Sequence, residues 1–519
     1  MLALFVFVAC PTTIRVTLFT MTMRENTHLT SLAATQEKRL IKSLARIDII
    51  LFIIAAYISL DTIGSIAAGG TQSLFWAVFL VLTFMIPYAL IMAETGSAFP
   101  EEGGPYQWVK FAYGRLPAGI ASVLYWITNP LWLGGSLSFI AFDAFNTYLV
   151  HVELGSFGEW AFKLSFIWIA IFLAVISLKK GKQIINLAAG AKISLLILMV
   201  ITTAIYGFKH GFQPFDFAAM SPTVSGFMAV APIILFSYVG FEAPNAASGE
   251  MYDAAKDTAP SIRIGSMVSA LAYVLPVLAI LLVVPKQDVG GISGFMGAIA
   301  TIFTVYGGAS TFLLSIAALL FIFGLLGLGA SWMMATDRIQ AMAAADGTFM
   351  NGWFGEFNER FGTPIRINML SGLMASLFLV AGMSLVDGDT GAIFVVVLSC
   401  AVSTLLVSYL IIIPAVMKLN RSYPEVHRPF VTPGKKRGFQ VMGSVAFIYI
   451  LVGSIGVLFP GTVESLFGIE YNFTEIWGLP RARVEAFTLG TIAFDLIVAL
   501  IGFALAKNVR KSLVETSEI

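Results

Sequence analysis

The sequence predicts an all-α membrane protein with twelve transmembrane helices. Three observations carry that reading. Of 519 residues, 58% are hydrophobic and only 12% charged, with a mean hydropathy of +0.87; a soluble protein of that balance would have too little polar surface to face water. Apolar runs of the length that crosses a bilayer, about 20 residues, recur along the chain. Lys and Arg then fall in alternate connections, as they do where basic residues stay on the cytoplasmic side.

The runs lie at about 47–70, 74–97, 118–147, 161–178, 184–208, 224–250, 263–285, 308–336, 367–386, 391–417, 440–460 and 486–506. Arg24, Lys38, Arg39, Lys42 and Arg46 precede the first. The even-numbered connections hold clusters such as Lys179, Lys180 and Lys182, or Lys418, Arg421, Arg428, Lys435, Lys436 and Arg437, and the tail holds Lys507, Arg510 and Lys511. The other side has only Lys163, Lys209, Lys286, Arg481 and Arg483. This alternation predicts a multi-pass protein of the cell (inner) membrane with both termini in the cytoplasm.

The first stretch, MLALFVFVAC followed by Pro11 and Arg15, lacks the basic leader of a signal peptide. Translation from Met21 or Met23 is the preferred reading, so residues 1–20 are set aside. Loops 337–366, 418–439 and 461–485 are too short to bury a core of their own. Asn472-Phe473-Thr474 is a glycosylation sequon of little weight.

Several function classes are excluded. A net charge of +1 rules out a basic nucleic-acid binder. Cys10 and Cys400, the two cysteines, make no disulfide framework, and His28, His151, His210 and His427 have no metal-ligand spacing, so no metal or cofactor is expected. GLLGLG at 324–329 lies inside an apolar run with no strand before it and reads as small-residue helix packing. There is no Walker sequence and no protease constellation, so neither ATP-driven transport nor enzymatic activity is expected.

Two runs are interrupted. The first reads YISLDTIGSIAAGG over 57–70, and the sixth reads FSYVGFEAPNAASGE over 236–250. Each places a carboxylate, Asp61 or Glu242, where a charge costs at least about 2.5–3.5 kcal/mol. Glycine-interrupted spans in these two positions point to a secondary transporter built from inverted repeats. Unwinding frees N–H groups that attract a carboxylate and carbonyls that attract an ammonium; a zwitterionic amino acid needs both. Glycines that only allow close helix packing are the competing explanation.

Four stretches then carry a resemblance to the amino acid/polyamine/organocation permeases, which share the leucine-transporter fold. Gly64-Ser65 resembles that family's Gly-Ser-Gly turn, with Ile66 in place of the second glycine. ETGSAFPEEGGPYQWVKFAYG (94–114) resembles its connection between helices 2 and 3. GFEAPNAASGEMYDAAKDTAPSIR (240–263) resembles its Gly-Phe-Glu stretch and the loop after it. RSYPEVHRPFVTPG (421–434) resembles its signature after helix 10. TDRIQAMAAADG and RFGTP, between 336 and 364, fit the loop after helix 8.

The resemblance implies a 5+5 inverted repeat with broken helices 1 and 6 plus two peripheral helices. The first repeat would span 47–208, the second 224–417 and the peripheral pair 440–506, between cytoplasmic segments 1–46 and 507–519. The small-molecule substrate, an amino acid or related amine, would sit between the breaks. Ile63, Gly64, Ser65 and Ile66 would offer N–H groups to its carboxylate; Phe236, Ser237, Val239 and Gly240 would line its ammonium side. Phe236 or Phe241 would close over it. Glu242 matches a glutamate linked to gating or proton coupling, able to be neutral when dry and to release a proton when wetted.

Lys192 lies about 13 Å along its helix from the cytoplasmic start, too deep for comfortable snorkelling. In some relatives a lysine here replaces the sodium ion of sodium-coupled cousins and ties helix 5 to helices 1 and 8; it is also a rival proton carrier. Asp61 is open to three roles: binding a cationic substrate group, pairing with Lys192, or capping the second half of helix 1. The alternative to a carrier is a multi-span sensor or channel. A channel would want a continuous polar lining, whereas the polar groups here gather at two breaks. The expected partners are the substrate and the lipid bilayer, with no nucleic acid; the oligomeric state is not set by the sequence.

Overall fold

The computed structural model describes residue 40 and residues 42–517, other than 177, 215–216, 286–293, 386–389, 472 and 474–479. The readings of residues 1–20 and of the Asn472 sequon lie outside the described residues. Among the described residues the chain is all-helical apart from one isolated bridge, Leu44 with Met251. Nine of the described helices are long and apolar enough to cross a membrane, and ten if one bent pair counts as a single span.

That bent pair is α1 (Arg46–Tyr57) and α2 (Leu60–Ala67), which meet at 46°. Then come α3 (Thr71–Ala98), the short α4 (Gly104–Tyr113), and α5 (Arg115–Trp132). A π-helical turn, Leu133–Leu137, joins α5 to α6 (Ser138–Tyr148). Pro130 removes a ladder donor just before that turn. The long helices α7 (Phe157–Val175) and α8 (Leu178–His210) follow.

The predicted run 224–250 is not one helix. It divides into α9 (Val224–Ser237) and a 3-10 segment, Ala243–Glu250. After it come α10 (Ala254–Val283), α11 (Gly294–Phe303), α12 (Ser310–Ala345), α13 (Ile365–Leu385), α14 (Thr390–Ser422), α15 (Lys435–Leu458), α16 (Arg481–Leu505) and α17 (Lys507–Ser517).

Packing places both interruptions in the interior. The α1–α2 pair lies against α8, α10 and α12, while α9 lies against α3, α14 and α15. Tyr88, Tyr125, Tyr238, Tyr273 and Tyr409 are all less than 2% exposed. Buried tyrosines keep a polar tip that must find a partner; Tyr88, Tyr125, Tyr273 and Tyr409 find theirs at the two breaks, and Tyr238 donates to the Ala77 carbonyl of α3. Many residues on the outer faces, such as Phe172, Ile201, Leu275, Phe312 and Leu500, are exposed and apolar, as lipid-facing surface is.

Candidate functional site

The first break falls at Ile58-Ser59, between α1 and α2. This corrects the sequence reading, which put it at Gly64-Ser65. Gly64, Ser65 and Ile66 lie inside α2, where helical N–H groups enter the ladder of the helix itself. Ile63 alone of the four predicted donors belongs to the first turn. Gly64 serves close packing: a Cβ there would stand 2.8 Å from the backbone nitrogen of Phe295 in α11. The packing explanation therefore holds at Gly64, and the interruption lies one and a half turns earlier.

A helix that stops in the interior leaves its last carbonyls without helical partners, and buried carbonyls must find others. Here side chains from three helices supply them. Lys192 of α8 donates to the carbonyls of Ala55 and Ile58, at 2.6 Å each. The Trp332 indole of α12 donates to Ala56 at 2.5 Å. The Tyr273 hydroxyl of α10 donates to Tyr57 at 2.8 Å and accepts from the Ser59 N–H at 3.0 Å. Lys192 is fully buried, and its stem packs where Gly324 of α12 leaves room.

The second break runs from Tyr238 to Glu242. Gly240 has φ +115, a conformation that favours glycine, and the Trp332 ring comes within 2.7 Å of where its Cβ would stand. Trp332 thus touches both breaks. Two further contacts join them: the Ser237 hydroxyl donates to Thr62 Oγ1 at 2.9 Å, and the rings of Tyr57 and Phe241 stack. Phe236 meets the Trp132 ring edge to face at 5.1 Å. Val239 and Phe241 are buried.

Glu242 has no exposed surface. Its carboxylate accepts from three tyrosine hydroxyls: Tyr88 of α3, Tyr125 of α5 at 2.9 Å and Tyr409 of α14 at 2.5 Å. Tyr88 also accepts from the Gly240 N–H at 3.1 Å. Asp61 is the second residue of α2. It accepts from the Ser59 hydroxyl and, at 3.0 Å, from the Trp132 indole. It makes no ion pair with Lys192, whose ammonium is taken up by carbonyls. The Tyr57 hydroxyl is buried with no hydrogen-bond partner.

One flank of this centre is closed by charge pairs. Arg338 of α12, 1% exposed, bonds Glu250 at 2.7 Å and lies 3.9 Å from Glu102. The chain before α1 is stitched to the same place: the Ser43 and Leu44 N–H groups donate to the Glu250 carbonyl at 2.8 and 2.9 Å. Beyond α12, Asp346 accepts from Tyr106, Lys110 and Arg115. Burial raises its pKa, but Lys110 and Arg115 outweigh that and hold the carboxyl below the ordinary aspartate value. Asp495 is fully buried in α16.

The tyrosine cage, Tyr273 and Trp132 were not singled out by sequence. Among the described residues no group of His, Cys, Asp and Glu is placed to hold a metal ion.

Comparison with known proteins agrees with this architecture. Residues 44–474 match the model of a family described as amino acid permease. The chain is 26% identical over 455 residues to a probable agmatine/putrescine antiporter of Lactococcus lactis, covering 87% of this chain and 93% of that one. It is 24% identical over 433 residues to a branched-chain amino acid permease of Bacillus subtilis, covering 78% and 86%. A solved manganese transporter of Eremococcus coleocola superposes with a TM-score of 0.61 over 92% of this chain and 96% of that one, at 11% identity, a likeness of fold alone.

Proposed function

The chain belongs to the amino acid permease family, and on that footing we propose that it carries an amino acid or related amine across the cell membrane by alternating access, as an exchanger or a proton symporter. It is a multi-pass membrane transporter and not an enzyme. One observation carries the proposal: two interrupted helices face each other in the interior, joined by the Ser237–Thr62 bond and the Tyr57–Phe241 stack.

In this reading the helices form a 5+5 inverted repeat, 47–208 and 224–417, with α15 and α16 peripheral and both termini cytoplasmic. Substrate would bind between the breaks, against the last turn of α9 with Phe236, Ser237, Val239 and Gly240, and against the start of α2. Of the predicted donors Ile63 remains closest to that position, while Gly64, Ser65 and Ile66 would support α2 from behind. The Tyr57 hydroxyl would be one of its hydrogen-bond partners. Lys192 would act as a tethered cation that holds the first break, in place of a bound metal ion. Glu242 would couple a proton to the opening of the tyrosine cage, and Phe241 would move with it. The Arg338–Glu250–Glu102 cluster would be the cytoplasmic gate, closed here, which opens when the 3-10 segment swings from α12.

The test is counterflow in liposomes that hold the purified protein. Saturable uptake of labelled amines or amino acids that needs unlabelled substrate inside supports an exchanger, and uptake into empty liposomes driven by a pH gradient supports a symporter. A non-saturating conductance would favour the channel and overturn the carrier.

A further inference from the structure

The two relatives named above divide between amine and amino acid cargo, and the geometry at the first break bears on which applies here. The N-terminal end of α2 is where a substrate carboxylate would be drawn, because the helix dipole and its unpaired N–H groups point there. That place is already taken. Asp61, the second residue of α2, puts its own carboxylate at this end, fixed by the Ser59 hydroxyl and the Trp132 indole. Its own backbone N–H acts on it as well.

A second carboxylate brought in by a substrate would find the donors engaged and a like charge beside it, in a water-poor interior where that repulsion is weakly screened. Among the described residues no cation is ion-paired with Asp61 or Glu242. Asp61 and Glu242 both accept only from neutral donors, an indole and four hydroxyls. The cation close by, Lys192, gives its hydrogen bonds to two carbonyls and acts on Asp61 only through its charge, without an ion pair. Buried carboxylates without an ion-paired cation are costly and take one when it is offered. The Tyr57 hydroxyl, buried and unpartnered at the end of α1, leaves a neutral hydrogen-bonding position beside the first break.

We infer that Asp61 stands in for the substrate's carboxylate, so that the cargo is an amine or guanidine compound that has none, its cationic group binding Asp61. This rests on the carrier reading above and narrows it to one substrate class.

Matched pairs that differ only in the α-carboxylate test it: agmatine against arginine, putrescine against ornithine, cadaverine against lysine. Binding to the full-length protein in detergent is measured by calorimetry, and exchange by counterflow in liposomes. The wild type is expected to bind each amine at least tenfold more tightly than its amino acid. Asp61→Asn should lose that amine affinity at least tenfold with an unchanged melting temperature. Asp61→Gly, which frees the start of α2, should bring the amino acid of each pair level with its amine or above it. Wild-type protein that binds arginine as tightly as agmatine, or tighter, overturns the inference, and does so without any variant. Saturable exchange of amino acids but of none of the amines overturns it while the carrier stands. Exchange of neither class overturns the carrier reading and this one with it.

Discussion

The rings of Tyr57 and Phe241 lie 3.9 Å apart and 18° from parallel. One is the last residue of α1 and the other sits inside the second break, so this stack joins the two interruptions. Phe241 has no exposed surface. Phe241→Ala should cost about 3–5 kcal/mol of stability and slow exchange at least tenfold, read by thermal unfolding in detergent and by counterflow. Phe241→Tyr, which keeps the ring, should retain most of both. An alanine variant with wild-type exchange would remove the aromatic from the gate.

Lys192→Met leaves the carbonyls of Ala55 and Ile58 unpaired in the interior, at about 1–3 kcal/mol each. The variant should melt earlier and lose exchange. On the proposal that the tethered ammonium takes the place of a mobile ion, wild-type uptake should be the same in sodium and in choline buffers. Sodium-stimulated uptake would contradict this role.

Glu242→Gln keeps the shape of the side chain but turns one acceptor into an NH₂ that faces tyrosine hydroxyls. Exchange by the wild type should vary with pH, and exchange by Glu242→Gln should not. Equal pH profiles in the two proteins would take proton coupling away from Glu242 and leave it a structural anchor.

Asp346 gives a pH prediction outside the membrane. Its carboxyl titrates below the ordinary aspartate value in the folded protein because Lys110 and Arg115 favour the charged form over the penalty of burial. A group whose folded pKa is lowered adds stability above its unfolded pKa, and that stability fades as pH falls through the folded value. Asp346→Asn should therefore melt below the wild type at pH 7, and the two curves should converge as pH drops below about 4. A gap that stays constant from pH 7 to pH 3 would refute the assignment.

Much of the fold was readable because its signal is local. The run 308–336 became α12 (Ser310–Ala345), and the run 440–460 became α15 (Lys435–Leu458). The packing read into GLLGLG fits as well: Gly324 faces Lys192 and Gly329 faces Leu133. The first break was misplaced because Gly64-Ser65 looks like a turn, while the residues that stabilise the real one, Lys192, Tyr273 and Trp332, are more than a hundred positions away in the chain. The cage around Glu242 was invisible for the same reason. Tyr88, Tyr125 and Tyr409 each look like ordinary core aromatics until three helices bring their hydroxyls to one carboxylate.

Tyr273 grips the first break from both sides with a single oxygen, holding the Tyr57 carbonyl and the Ser59 N–H. In mechanical terms this makes the kink a pinned joint and not a spring. In the proposed cycle its angle would not have to be created anew, and a tilt of α10 would be handed to α1 and α2 together. The two halves of that crossing would then move as one unit with a neighbouring helix, so that a carrier could rock while its first crossing keeps the same bend.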